Sequence, residues 1–357
     1  VEESDLVGPP PSLGARPGRA PRPARPLPRT STNAVPAVHS GLPVYSVRMT
    51  FNPNAEIRSD NVSAAGRGGG GFSPRGGGRG GGGLKLGGGA GCLLLVVVLI
   101  YTLIGGNPLD LLGGGSSTQQ GPAAEGGSLD HCLTGADANE SDDCLVQATV
   151  ESADSTWGQL APAEGIDFVE AQGLIFEDQV QTGCGAATAD VGPFYCPADM
   201  TLYVDVSFFD ALATQYGADG GQLAKMYVVA HEYGHHIQYL TGVMETADRS
   251  QTGPQSDGVR LELQADCYAG VWAHHAANSV DDEGNAMLQP LTAEDIESAL
   301  SAASAVGDDH IQGDVAGGQV RPETWTHGSS EQRRAWFTTG YEQGTIASCD
   351  TFAADQV

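Results

Sequence analysis

The period of the hydrophobic pattern changes once between residues 201 and 241. TLYVDVSFF, residues 201–209, alternates, with Val204, Val206 and Phe208 on one face and Tyr203, Asp205 and Ser207 on the other. That is the period-two signature of a strand. Over residues 221–241 the pattern turns helical, with no proline inside and Gly242 just past the end, which predicts a helix. Apolar residues crowd the stretch before its histidines, MYVVA at 226–230, so the helix should be buried. A second helix is predicted over residues 258–276, GVRLELQADCYAGVWAHHA.

The first third of the chain reads differently. Residues 1–48 are rich in Pro and Arg without any apolar period, the composition of a disordered segment. The first methionine is Met49, so two readings stand for the segment before it: a cytoplasmic interaction tail, or a stretch not natively translated, with Met49 as the natural start. A Gly/Arg tract at 66–91 leads into CLLLVVVLIYTLI, and residues 86–106 carry no charge. Twenty-one uncharged residues are enough to cross a bilayer. Arg67, Arg75, Arg79 and Lys85 precede the run and Asp110 follows it, which places the N-terminus in the cytoplasm and the later domain outside. The expected order is a disordered tail (1–48), a cytoplasmic juxtamembrane segment (49–85), a single transmembrane helix (86–106), a flexible linker (107–128) and one folded domain (129–357).

Charge follows the same division. Up to Gly106 there are 11 Lys and Arg against 5 Asp and Glu; from Asn107 onward there are 6 against 39. The net values, +6 and −33, describe two segments in different surroundings. A whole-chain charge of −27 excludes a nucleic-acid partner. Six cysteines follow the apolar run, and in an exported domain they predict three disulfides. Cys132 with Cys144 and Cys184 with Cys196 share a short spacing, which leaves Cys267 for Cys349.

His231, Glu232 and His235 form H-E-x-x-H. Four-residue spacing on a helix turns both imidazoles to one ion, and Glu232 then stands beside the open coordination position as a base for water. A catalytic zinc needs a third protein ligand. Glu262 and Asp266 are four apart on the second helix; Glu262 is the candidate ligand, and Asp266 can hold the far ring N–H of a ligating histidine. His236 and Tyr233 point elsewhere by the same periodicity. His274 and His275 end the second helix and read as its C-terminal cap.

These motifs carry a resemblance. H-E-x-x-H followed by E-x-x-A-D resembles the gluzincin metallopeptidases. GCGAATADVGPFYCPADMTLYVDVSFF (183–209), HEYGHHIQ (231–238), ELQADCYAG (262–270) and THGSSEQR (326–333) resemble more closely the bacterial YpfJ-like family of neutral zinc metallopeptidases. Near the start, Arg58, Ser59, Asp60, Asn61 and Val62 match that family's Arg-rich segment in part.

The resemblance implies an α+β, zincin-like domain, mainly helical with a small sheet, acting as a membrane-anchored zinc metallopeptidase on peptide or protein substrates. A strand near residues 202–208 is expected at a sheet edge, where extended substrate could add to it. The late histidine, His327, is either an oxyanion donor, as a late histidine is in gluzincins, or a cap for a helix starting near Ser330. Ser330 and Arg333 read as surface positions. Two other functions compete: a catalytically silent zinc-stabilised binding domain, and a metal hydrolase of non-peptide substrates.

Overall fold

The computed structural model describes residues 50–58, 60–65, 126–127 and 129–357. The tail 1–48 and the apolar run 86–106 lie outside the described residues. Among the described residues no helix is long and apolar enough to cross a membrane.

The architecture is α+β. In chain order come β1 (Val62–Ala65), β2 (Gly126–Gly127), α1 (Gly135–Glu140), α2 (Asp142–Ala163), β3 (Gln172–Ile175), β4 (Gln179–Thr182), β5 (Gly185–Thr188), β6 (Phe194–Cys196) and β7 (Thr201–Val204). The second half is dominated by α3 (Ser207–Thr214), α4 (Gln222–Leu240), α5 (Asp257–Ala276), α6 (Ala293–Ala305) and α7 (Ser330–Gln343). Five strands form one sheet in the order β2-β1-β3-β7-β6, while β4 and β5 pair separately. β1, β3 and β7 run parallel, and the outer strands β2 and β6 are antiparallel to their neighbours.

The strand expected over residues 201–209 is cut in half. Pairing ends at Val204, because the Asp205 carboxylate accepts the backbone N–H of Ser207 at 2.9 Å and its carbonyl accepts that of Phe208 at 3.0 Å. This side-chain turn ends the extended run and starts α3. β7 also lies between β3 and β6, so the sheet edge is β6, one strand away from the expected one.

A larger correction concerns residues 50–65. The sequence reading sets them in the cytoplasm, across a membrane from the domain. Instead they are built into it. Phe51 and Ile57 are 1% and 2% exposed, the Asn52 N–H donates to the Met287 carbonyl at 2.8 Å, and β1 pairs with β3. The buried residues Phe51, Ala55, Ile57 and Val62 are scattered among polar ones, so no periodic signal marks them. The folded unit therefore includes residues 50–65 as well as 129–357.

α4 forms the middle of the helical half, packed against α2, α5 and α6. It is buried on nearly all sides, the apolar stretch 226–230 and the polar His231, Glu232, His235, His236 and Gln238 alike, and Gly242 at φ 76° follows its end. α5 and α7 lie backbone to backbone: a Cβ on Gly340 would stand 1.9 Å from the Cys267 carbonyl oxygen. The three disulfides are those expected from the spacing, Cys132–Cys144, Cys184–Cys196 and Cys267–Cys349. The last spans 82 residues and ties α5 to the C-terminal segment. In the chain-entropy account it restricts the unfolded chain by about 4 kcal/mol.

Single cysteines introduced at the exposed Asn54 and Glu164 should react with a membrane-impermeant thiol reagent from the same side of the membrane in expressing cells. Labelling from opposite sides would show that β1 does not join the sheet.

Candidate metal centre

The centre begins with a contact between backbones. A Cβ on Gly234 of α4 would lie 2.9 Å from the Ala265 carbonyl oxygen of α5 and 3.0 Å from its Cα. Only glycine permits that approach. It sets His231 and His235 on one helix opposite Glu262 and Asp266 on the other, all four of them buried. One ligating atom from each of His231, His235 and Glu262 falls within a group no wider than 4.8 Å. His231 Nε2 is 3.3 Å from Glu262 Oε2, and His235 Nε2 is 3.7 Å from Glu262 Oε1.

Each ring is fixed through its other nitrogen. His231 donates from Nδ1 to Asp266 Oδ1 at 2.8 Å, and His235 from Nδ1 to Gln238 Oε1 at 2.8 Å. Gln238 is itself held, donating to the Leu261 carbonyl at 2.7 Å. Both Nε2 atoms thereby face the Glu262 carboxylate, and an ion between them would take their lone pairs in place of protons. Two imidazoles, one carboxylate and a side open to a cavity make a donor set suited to a tetrahedral zinc site.

Asp266 is held from three sides. Arg333 grips it with both arms, Nε to Oδ2 at 2.8 Å and Nη2 to Oδ1 at 2.9 Å, and the Tyr227 hydroxyl donates to Oδ1 as well. Such bidentate pairs are among the stronger hydrogen-bonded contacts. The sequence reading put Arg333 on the surface and did not single out Tyr227. Arg333 is 3% exposed. A signal was there: Arg333, Phe337 and Gly340 stand at i, i+4 and i+7 and form the buried face of α7.

The charges are tuned against one another. Burial would raise the Asp266 pKa, but Arg333 and His231 hold it below the ordinary value. Burial would likewise lower that of His231, yet Asp266 and Glu262 raise it to about 9. Burial prevails at His235, lowered to about 4. Burial also works upward on Glu262, but His235 and His231 depress it. At Glu232 burial outweighs its partners. Burial pushes it up to about 7, against a smaller opposing effect of His231. A carboxyl with that proton affinity is poised for proton transfer near neutrality.

Glu232 faces a cavity of about 490 Å³ that is also lined by His231, His235, Glu262 and His327. β6 borders it, and a backbone hydrogen bond from Tyr195 reaches Glu232. His327 is brought in by a residue that sequence reasoning missed. Asp308 Oδ2 accepts the successive backbone N–H groups of Thr326, His327 and Gly328 at 2.8, 2.7 and 3.0 Å. His327 Nδ1 lies 3.0 Å from Thr326 Oγ1 and 3.5 Å from Asp308 Oδ1. Burial lowers the His327 pKa, but Asp308 and Glu262 raise it overall. The cap of α7 is Ser329, which forms a capping box with Gln332, so His327 does not cap that helix.

The remaining aromatic and histidine side chains lie elsewhere. His236 bonds to the Tyr195 hydroxyl and the Val169 carbonyl, and Tyr233 donates to Asp154. His274 and His275 do not cap their own helix. They bond to the Tyr341 and Gly344 carbonyls at the end of α7.

Replacing Arg333 by Leu would leave Asp266 a buried, partly uncompensated charge. Arg333→Leu should lower the unfolding free energy by ~3–5 kcal/mol in a urea titration, and adding Asp266→Asn should restore part of the loss. Strictly additive losses would mean that the two side chains are not coupled.

A family model described as "Putative neutral zinc metallopeptidase" matches residues 52–352. "Uncharacterized protein Rv2575" of Mycobacterium tuberculosis strain H37Rv is 48% identical over 253 residues, covering 71% of this chain and 85% of its own. "Uncharacterized protein YpfJ" of Escherichia coli K12 is 42% identical over 213 residues, covering 58% of this chain and 69% of its own. No solved structure matches the chain. With the matched span holding the whole site, the chain belongs to the neutral zinc metallopeptidase family, and zinc is the ion that its His231, His235 and Glu262 group is suited to hold.

Proposed function

We propose that the protein hydrolyses peptide bonds, with His231, His235 and Glu262 holding zinc and Glu232 acting as general base. One observation carries this reading: Glu232 stands beside the three donors on the wall of an open cavity. A purely structural zinc site would be closed by a fourth protein ligand.

When bound, zinc supplies Lewis acidity to the scissile carbonyl and to water. The protein's own groups do the rest. Glu232 accepts the proton of the attacking water and passes it to the leaving amine. His327, steadied on its Nδ1 side by Thr326 and Asp308, offers Nε2–H to the oxygen that gains charge. β6, last in its sheet and next to Glu232, offers a backbone edge along which an extended peptide can add as a strand.

Membrane attachment through the uncharged run 86–106 belongs to this proposal on sequence grounds. Because β1 is part of the domain's sheet, attachment has to leave residues 50–65 and the site on one side.

The tests separate metal binding from turnover. Purified protein should carry about one zinc, and His235→Ala or Glu262→Ala should lose most of it. Glu232→Gln should keep zinc and fold but lose cleavage of a peptide library. His327→Ala should lower kcat by ~10²–10³ with zinc content and Tm nearly unchanged. Zinc bound without turnover in the wild type would make this a silent metal-binding domain. Equal activity of wild type and Glu232→Gln would remove Glu232 as the base.

A further inference from the structure

A second cavity, of about 760 Å³, lies beside the first. Val191 and Phe194 line both, so the two meet where the edge strand β6 begins. A peptide laid along β6 at the metal centre runs from one into the other.

Bonds of the fold itself hold the walls of this recess. The β4–β5 hairpin forms one rim, and the Cys184–Cys196 disulfide ties that rim to β6. The segment after α4 forms the opposite rim. There Arg249 is half-buried, and its Nη2 donates to the Met244 carbonyl at 2.8 Å, which fixes the guanidinium in the wall.

Charge singles out Arg249. Among the described residues that line the recess it alone is charged. From Asn107 onward 6 Lys and Arg stand against 39 Asp and Glu, so a cation facing an uncharged recess departs from the surface around it. Two carboxylates adjoin the lining, and both are engaged locally: Asp199 accepts the Gly183 N–H at 2.6 Å, and Asp248 the Ser250 N–H at 3.0 Å. Burial lowers the Arg249 pKa and Glu262 raises it, which sets the guanidinium within electrostatic reach of the metal centre. A guanidinium presents five N–H donors in a fixed fork, enough to hold a backbone carbonyl and grip a carboxylate together.

We propose that Arg249 recognises a carboxylate of the substrate in the recess beyond β6, supplied by the peptide's C-terminus or by an Asp or Glu side chain. This rests on the peptidase reading of the neighbouring centre. A C-terminus held there makes the protein one that trims chain ends; a side chain held there makes it one that cuts near acidic residues.

The test reads binding apart from cleavage, on the zinc-loaded full chain. Hydroxamates anchor each probe at the metal. In one series a succinyl hydroxamate carries one to three alanines ending as free acid or as amide. In the other, acetylated peptidyl hydroxamates carry Glu or Gln one to three residues from the hydroxamate. By calorimetry, at one length, the acid should bind roughly 10- to 100-fold more tightly than its neutral counterpart, and high salt should shrink that advantage. An advantage in the first series identifies the C-terminus as the source, one in the second a side chain. Arg249→Gln should bring the ratio close to one, with zinc content and Tm reporting folding; Arg249→Met is the second variant should Arg249→Gln fail to fold. Cleavable peptides of matched sequence should show the same preference in KM.

Equal binding of every acid and neutral pair by the wild type, or an advantage that survives in the folded variant, would overturn the proposal. An acid advantage that depends on Arg249 while every peptide stays uncut would support the carboxylate site and remove the peptidase reading.

Discussion

The site depends on how closely two helix backbones can approach. At Gly234 and Ala265, α4 and α5 come within a distance that no side chain beyond hydrogen allows. Helices usually keep axes 8–10 Å apart, with the gap filled by side chains. Here one residue of α4 contributes none. Glycine inside a helix costs about 0.5–1 kcal/mol relative to alanine, so its place in the middle of α4 needs a reason. The gain is positional: His231 and His235 are carried to within reach of Glu262.

Everything next to that contact resists its loosening. α5 is held from its far side by α7, again through glycine, and the Cys267–Cys349 disulfide anchors the same helix to the C-terminal segment. Arg333 crosses from α7 to Asp266, which in turn fixes His231. The orientation of one imidazole thus rests on a chain of contacts running through three helices. A buried ion pair of this kind is a poor source of net stability. Its value here is directional, since it keeps Asp266 charged and turned toward the ring.

How much of this the sequence revealed follows from the range of each interaction. H-E-x-x-H and the Glu262–Asp266 spacing are local patterns of one helix face, and both were legible. The disulfide partners were readable from spacing. Arg333 and Asp308 were not singled out, because their partners lie far along the chain: Asp266 is 67 residues from Arg333, and Thr326 is 18 from Asp308. Residues 50–65 were misplaced for the same reason, their contacts at Met287 and β3 lying beyond an apolar run that dominates local composition. The strand at 201–209 was read too long because alternation cannot register a single aspartate turning the backbone.

The most direct measurement is the zinc dissociation constant of Gly234→Ala, taken with its Tm. If close approach builds the centre, the added methyl must push α5 aside. Zinc should then bind ~10–100-fold more weakly, as when groups that orient metal ligands are disturbed, and Tm should fall despite the better helix propensity of alanine. Unchanged zinc affinity with a raised Tm would show that the helices have room to spare, and that the contact at Gly234 does not set the metal centre.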